Sequence, residues 1–129
     1  MVRARQLLAA LGLLLIAACT PQPNTPPGPD PATLSPGAAA GKALIYQRNC
    51  GGCHTIPGIP GAEGIVGPNL AGVASRTTLA GGVVPNNNPD DLKNWIQHPD
   101  SLKPGTGMPN LGLSDQQATQ IVAYLELLR

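Results

Sequence analysis

Phenylalanine is absent from this chain, and Trp95, Tyr46 and Tyr124 are its only aromatic residues. Aromatic side chains ordinarily supply much of a small core, so the apolar bulk of this one must come from elsewhere. Charge is scarce as well. Eight basic and seven acidic residues in 129 leave a formal net charge of +1 with no basic stripe. Nucleic-acid binding through phosphate neutralisation is thereby excluded. There is no internal repeat, no segment that reads as a strand, and no length for a second packed core. What is plentiful is glycine and proline, 16 and 15 residues. The prolines are clustered, which marks a boundary and not a uniformly low-complexity chain.

Residues 1–18 read as a signal peptide. Arg3 and Arg5 form a positive start, and Leu7 to Ala18 is apolar throughout but short for a membrane span. The run ends in Ile16-Ala17-Ala18-Cys19, which resembles the bacterial lipobox, where cleavage precedes a cysteine that is then acylated. The competing reading is an ordinary secretory signal with an incidental cysteine. Against it stand the position of Cys19 and the segment that follows, with seven prolines between Thr20 and Gly37. Such a stretch buries too little surface to fold alone, so residues 19–37 are expected to form a lipidated, extended tether with an upper reach of about 55 Å. The folded domain is expected over 38–129.

Three helices can be placed with reasons. Ser35 can cap a helix with Pro36 at its first position, continuing to about Asn49. Asn88 can cap a second, with Pro89 first and Asp90 and Asp91 in the opening turn, and this helix must stop before Pro99. Ser114 and Gln117 have the spacing of a capping box. The helix they open carries Ala118, Ile121, Val122, Leu125 and Leu128 on one face. The result is an all-α domain with loops long enough to be anomalous unless they wrap around something.

Cys50-Gly51-Gly52-Cys53-His54 supplies the object. Cys-x-x-Cys-His is the attachment signature of c-type haem: two thiols add across the porphyrin vinyl groups, and the adjacent histidine reaches the iron. A thioredoxin-like pair would want a βαβ context, and a zinc site would want further Cys or His ligands. A Cys50–Cys53 disulfide would leave His54 without a role. For the opposite axial position, Met108 is the only methionine left once the signal peptide is removed, and it sits in the proline-bracketed loop Pro104-Gly105-Thr106-Gly107-Met108-Pro109. His98 is the other candidate. Its place at a helix end before Pro99 also suits a capping or solvated histidine.

Residues from about Gly41 to Leu128 resemble the class I monohaem cytochrome c domain. Gly67-Pro68-Asn69-Leu70 is similar to the family loop in which the proline carbonyl orients the proximal histidine, which implies that role for Pro68 toward His54. Arg76 falls where the family often places an arginine on a haem propionate. Leu92, Trp95, Pro99, Pro104 and Met108 repeat the family spacing into the methionine loop, so Trp95 is expected at the cofactor. Val122-Ala123-Tyr124-Leu125 resembles the terminal helix, with Ile121 and Tyr124 crossing the first helix near Tyr46. Two departures stand out. Lys42 occupies the position usual for glycine, with Gly41 one step early, so the helix crossing is expected to be shifted, and Gly107 replaces a lysine common before the methionine. A basic docking ring is therefore not expected. Gly64 to Leu70, Ser75-Arg76-Thr77 and Pro104 through Met108 to Asp115 are similar to the cytochrome c domain fused to subunit II of caa-type haem–copper oxidases.

The resemblance implies one covalent haem c, three to five helices with loops wrapped around it, and His54 and Met108 on the iron. Such ligation raises the potential and leaves no open coordination site, which suits one-electron transfer and not catalysis. The expected role is a lipid-anchored carrier on the outer face of the bacterial cytoplasmic membrane, passing electrons from a quinol-oxidising complex to a terminal oxidase. The alternatives are a haem-based gas binder, in which Met108 dissociates, and an electron-donating subunit of another oxidoreductase.

Overall fold

The computed structural model describes residues 26–129. The expected signal peptide and the expected lipidation at Cys19 lie outside these residues. Four α-helices are present among them: α1 Pro36–Gln47, α2 Pro89–Gln97, α3 Pro99–Leu102 and α4 Asp115–Leu125. None is long and apolar enough to cross a membrane.

The three expected helices begin where their capping residues require. Ser35 Oγ accepts from the Ala38 N–H at 3.2 Å, and Asn88 Oδ1 accepts from Asp90 and Asp91 at 2.9 and 3.2 Å. At α4 the capping box closes in both directions: Gln117 N–H donates to Ser114 Oγ and Ser114 N–H donates to Gln117 Oε1. The same Oε1 accepts from Arg48 Nη2 at 3.3 Å, so the end of α1 is tied to the start of α4. Lys93 links α2 to α4 by pairing with both Asp90 and Asp115 at 3.2 Å. These carboxylates, Asp115 foremost through its hydrogen bond, raise the Lys93 ammonium above its ordinary range.

Helices α1 and α4 form the principal contact, and a glycine sets their register. A Cβ on Gly41 would fall 1.8 Å from the Gln120 carbonyl oxygen, so the two backbones nearly touch there. Ile45, one turn on, is buried with Ile121, Val122, Tyr124 and Leu125. Each fully buried side chain of this kind contributes about 1.5–3 kcal/mol. The crossing is therefore shifted by one residue, as the early glycine at position 41 leads one to expect. Tyr46 is 65% exposed, because the face that follows Gly41 contains position 45 and turns position 46 outward by about 100°.

Two further differences from expectation concern the loops. Thr78–Leu79 (β1) and Val84–Pro85 (β2) pair antiparallel, Thr78 opposite Pro85 and Leu79 opposite Val84. Ala80, Gly81 and Gly82 turn the hairpin with positive φ angles of 54°, 71° and 94°. Two residues per strand leave no alternation to read, so the hairpin is invisible to periodicity. It is fastened from outside by Lys103 Nζ, which donates to the Ala80 carbonyl at 2.9 Å. The second difference is that the proline-rich segment is part of the domain from Pro26 onward. Pro26 O accepts from Gly58 N–H at 3.1 Å, and a Cβ on Gly28 would lie 2.4 Å from Gly58 Cα. Asp30 caps a 3₁₀ turn at Pro31–Thr33, and Leu34 packs on the core. Prolines lose little entropy on docking, so a few backbone contacts suffice to hold the strap.

Candidate haem site

The Cys-x-x-Cys-His segment is shaped by the end of α1. Asn49 adopts the left-handed conformation (φ 55°), which stops the helix and turns the chain into a 3₁₀ turn at Cys50–Gly52. His54 N–H donates to Cys50 O at 3.0 Å, so both thiols and the imidazole emerge from one tight reversal. Cys50 and Cys53 are free thiols, the first half-buried and the second exposed. Burial pushes the Cys50 thiol up from its ordinary range, with the neighbouring Cys53 adding to it. A reactive dithiol needs the opposite shift, which counts against a thioredoxin-like pair. Among the described residues no three His, Cys, Asp or Glu side chains gather as a metal clasp. The zinc reading finds no support in this arrangement.

The imidazole of His54 is fixed from outside the motif. Its Nδ1–H donates to the Pro68 carbonyl oxygen at 2.7 Å. A carbonyl can only accept, so the proton sits on Nδ1 and the Nε2 lone pair is left for a metal. Gly67 makes this possible. A Cβ there would stand 2.3–2.8 Å from three ring atoms, so only glycine lets the backbone lie flat against the imidazole. The loop is held at several points: Gly64 N–H to Gly51 O at 3.0 Å, Gly67 N–H to Cys53 O at 2.8 Å and Leu70 N–H to Thr55 O at 2.8 Å. Between them, residues 55–64 close around Ile56, Ile59 and Ala62, all buried. The position of Gly67 beside the motif proline was legible; its role against the ring was not.

Arg76 clasps the same loop. Its Nη2 donates to Asn69 O at 2.5 Å and Ala71 O at 2.9 Å. Trp95 is buried in the core at 8% exposure. His98 lies between α2 and α3 and is exposed. Met108 is half-buried and packs against the core from the loop after α3. That loop is pinned by Gly105 N–H to Asp100 Oδ1 at 3.2 Å, Thr106 N–H to Lys103 O at 3.1 Å and Met108 N–H to Thr106 Oγ1 at 3.3 Å.

The donor set is that of a covalently attached haem: two thiols on one reversal, an imidazole with Nε2 free, and a thioether on a separate loop. Cys50, Cys53, His54 and Met108 are the residues that could hold it. The scarcity of aromatic bulk fits the same group, since a porphyrin would supply what the side chains do not.

Comparison with known proteins gives this arrangement a family. The Cytochrome c family profile matches residues 38–129. Cytochrome c oxidase subunit 2 of Bacillus subtilis is 36% identical over 96 residues, covering 71% of this chain and 26% of that protein. The chain thus spans about a quarter of the length of such relatives. Cytochrome c2 of Rhodopila globiformis is 36% identical over 100 residues, covering 66% of this chain and 88% of that protein. The c-type cytochrome SorU from Sinorhizobium meliloti shares the fold, with a TM-score of 0.50 at 21% identity over 71% of this chain and 90% of that one. Motif, histidine geometry and family match agree, and the chain belongs to the cytochrome c family, whose members carry covalently bound haem c and transfer electrons.

Proposed function

We propose that this protein is a membrane-anchored electron carrier in which Cys50 and Cys53 would hold the haem covalently and His54 and Met108 would bind its iron, with a respiratory terminal oxidase as electron acceptor. The observation that carries the ligand assignment is the His54–Pro68 hydrogen bond, because it presents Nε2 and fixes the ring plane. When bound, haem c supplies a one-electron couple. The residues do the rest. His54 would hold the iron through Nε2 of a ring that Gly67 and Pro68 keep from rotating. Met108 offers a thioether, a soft ligand that favours the reduced state, from a loop pinned to Asp100 and Lys103. Arg76 uses Nη2 on the loop carbonyls, which leaves Nε and Nη1 for a haem carboxylate. Trp95 is proposed to pack near the porphyrin from α2.

The oxidase assignment is supported by the similarity to cytochrome c oxidase subunit 2 of two Bacillus strains. The anchor is supported by the lipobox-like Cys19 and the signal-like residues before it. A quinol-oxidising complex is the proposed donor, and the outer face of the cytoplasmic membrane the proposed location. The test is to express the chain in a bacterium competent in cytochrome c maturation, weigh the denatured protein, and add it reduced to membranes containing a caa-type oxidase. One haem retained on the denatured chain and oxygen-dependent oxidation of the protein are expected. A mass equal to the bare chain would overturn the attachment. A haem-loaded protein that stays reduced with active membranes would overturn the oxidase assignment.

A further inference from the structure

Ile65 and Val66 are the most exposed large apolar side chains among the described residues, at 91% and 82%. Their backbone is nevertheless held on both sides. Gly64 N–H donates to Gly51 O at 3.0 Å and Gly67 N–H donates to Cys53 O at 2.8 Å. A Cβ on Gly64 would meet the Cys53 backbone at 2.4 Å, and one on Gly67 would meet the His54 ring. Two glycines in close contact with the Cys-x-x-Cys-His turn therefore push the pair between them outward as a fixed knuckle. Rigidly presented apolar surface costs solvation continuously and has already lost the conformational freedom that binding would remove.

The segments that carry this knuckle and Met108 are nearly free of charge along the sequence, although the charge of Arg48, just before the motif, reaches Cys50. From Gly51 to Ser75, Glu63 is the sole formally charged side chain, and Pro104 to Ser114, the methionine loop, has none. These two segments therefore offer little charge of their own with which to steer or orient a partner. Cys53, beside the knuckle, is the exposed member of the thiol pair, whereas Cys50 is half-buried.

Resting on the electron-carrier reading, we propose that Ile65 and Val66 form the docking contact for a redox partner whose surface around its electron-exchanging centre is apolar and uncharged. Contact is then stabilised by burying the two side chains beside Cys53. It is indifferent to salt and short-lived because the patch is small, as turnover requires.

The test uses the haem-loaded protein on gold electrodes coated with methyl-, carboxylate- or amine-terminated monolayers, the methyl surface standing for the partner. Electron exchange is expected to be fastest at the methyl surface and unchanged between about 10 mM and about 500 mM salt, over which charged contacts are strongly screened. Ile65→Lys with Val66→Lys is expected to slow it about tenfold, as placing charge in an apolar contact does. Reduction by ascorbate in solution and the haem spectrum should stay as in the parent. Ile65→Thr with Val66→Thr keeps the β-branching while making the pair polar, and should give an intermediate loss if the lysines prevent folding. Leu127→Lys, also at an exposed apolar residue, should leave the rate unchanged. Faster exchange at a charged monolayer, fading with salt, would overturn the proposal. So would an equal effect of Leu127→Lys, or a dimer of the parent protein that Ile65→Lys dissolves. A parent protein that exchanges with neither ascorbate nor any electrode would overturn the carrier reading and the docking with it.

Discussion

His54 and Pro68, fourteen residues apart, are joined by one hydrogen bond of 2.7 Å from Nδ1–H to the carbonyl oxygen, and Gly67 lies flat against the ring between them. Gly67→Ala forces a methyl group into the imidazole. The ring must turn or the loop must lift, and either breaks the bond. The expected cost is about 1–3 kcal/mol, the range of overpacked interiors. The haem should remain covalently attached while its ligand-field spectrum changes. Thermal melting and the visible spectrum check this, and an unaltered spectrum would show that the ring orientation does not depend on Gly67.

Met108→Ala should leave the haem attached but open the sixth position. The far-red sulfur-to-iron band of the oxidised protein should vanish, and added imidazole should bind more readily. His98→Ala should preserve the band, since His98 is exposed at the junction of α2 and α3. If the band instead disappears with His98→Ala and survives Met108→Ala, the two roles are exchanged.

The helix crossing can be tested at adjacent positions. Gly41→Ala would place a methyl group 1.8 Å from the Gln120 carbonyl, backbone that cannot step aside without separating α1 from α4. A loss of about 3 kcal/mol, at the upper end for overpacking, is expected in chemical denaturation. Lys42→Gly, the change that restores glycine to its usual family position, should cost only about 1 kcal/mol, the helix penalty of glycine. Equal effects would place the crossing elsewhere.

Tyr124 is fully buried, and its hydroxyl donates to Pro57 O at 2.7 Å. Burial raises its pKa above the ordinary 10.0. Above pH 10 the unfolded chain therefore loses its phenolic proton before the folded one does. The stability contributed by the neutral phenol is complete below that point and falls as pH rises through the folded value. Tyr124→Phe should cost about 1–2 kcal/mol at neutral pH, for the lost bond and the carbonyl left unpaired, and should flatten this alkaline decline. Denaturation curves at neutral pH and above pH 10 supply the comparison; a variant with the same alkaline slope would assign the decline to other groups.

Anchoring leads to a prediction at the other end of the chain. Because Pro26 is already bonded to Gly58, only residues 20–25 separate Cys19 from the docked strap, a span of at most about 25 Å. If Cys19 is lipidated as proposed, the domain should thus work close to the membrane. Cys19→Ser should block processing or release a soluble cytochrome with its full haem content, and oxidation by membranes should slow as the local concentration falls. Fractionation after a salt wash reads the outcome: normal processing with complete retention on membranes would exclude lipid as the sole attachment.

Local chemistry determined much of this protein before any fold was seen. Capping by Ser35, Asn88 and Ser114 sets where three helices begin, because each side chain satisfies N–H groups only a few residues away. The spacing of Cys50, Cys53 and His54 specifies the attached group for the same reason: the reacting atoms are neighbours in the chain. The tertiary structure decided whatever depends on two distant backbones approaching. It fixed where the shifted helix crossing falls, at Gly41 and Ile45, since register follows the one residue that lets α1 reach Gln120. It drew the strap from Pro26 onto Gly58, paired Leu79 with Val84 in a hairpin too short for a pattern, and laid Gly67 against His54. Glycine and proline dominate all of these places. They carry little hydrophobic signal along the chain, and their effect, close approach and fixed direction, acquires a meaning only when the other surface is known.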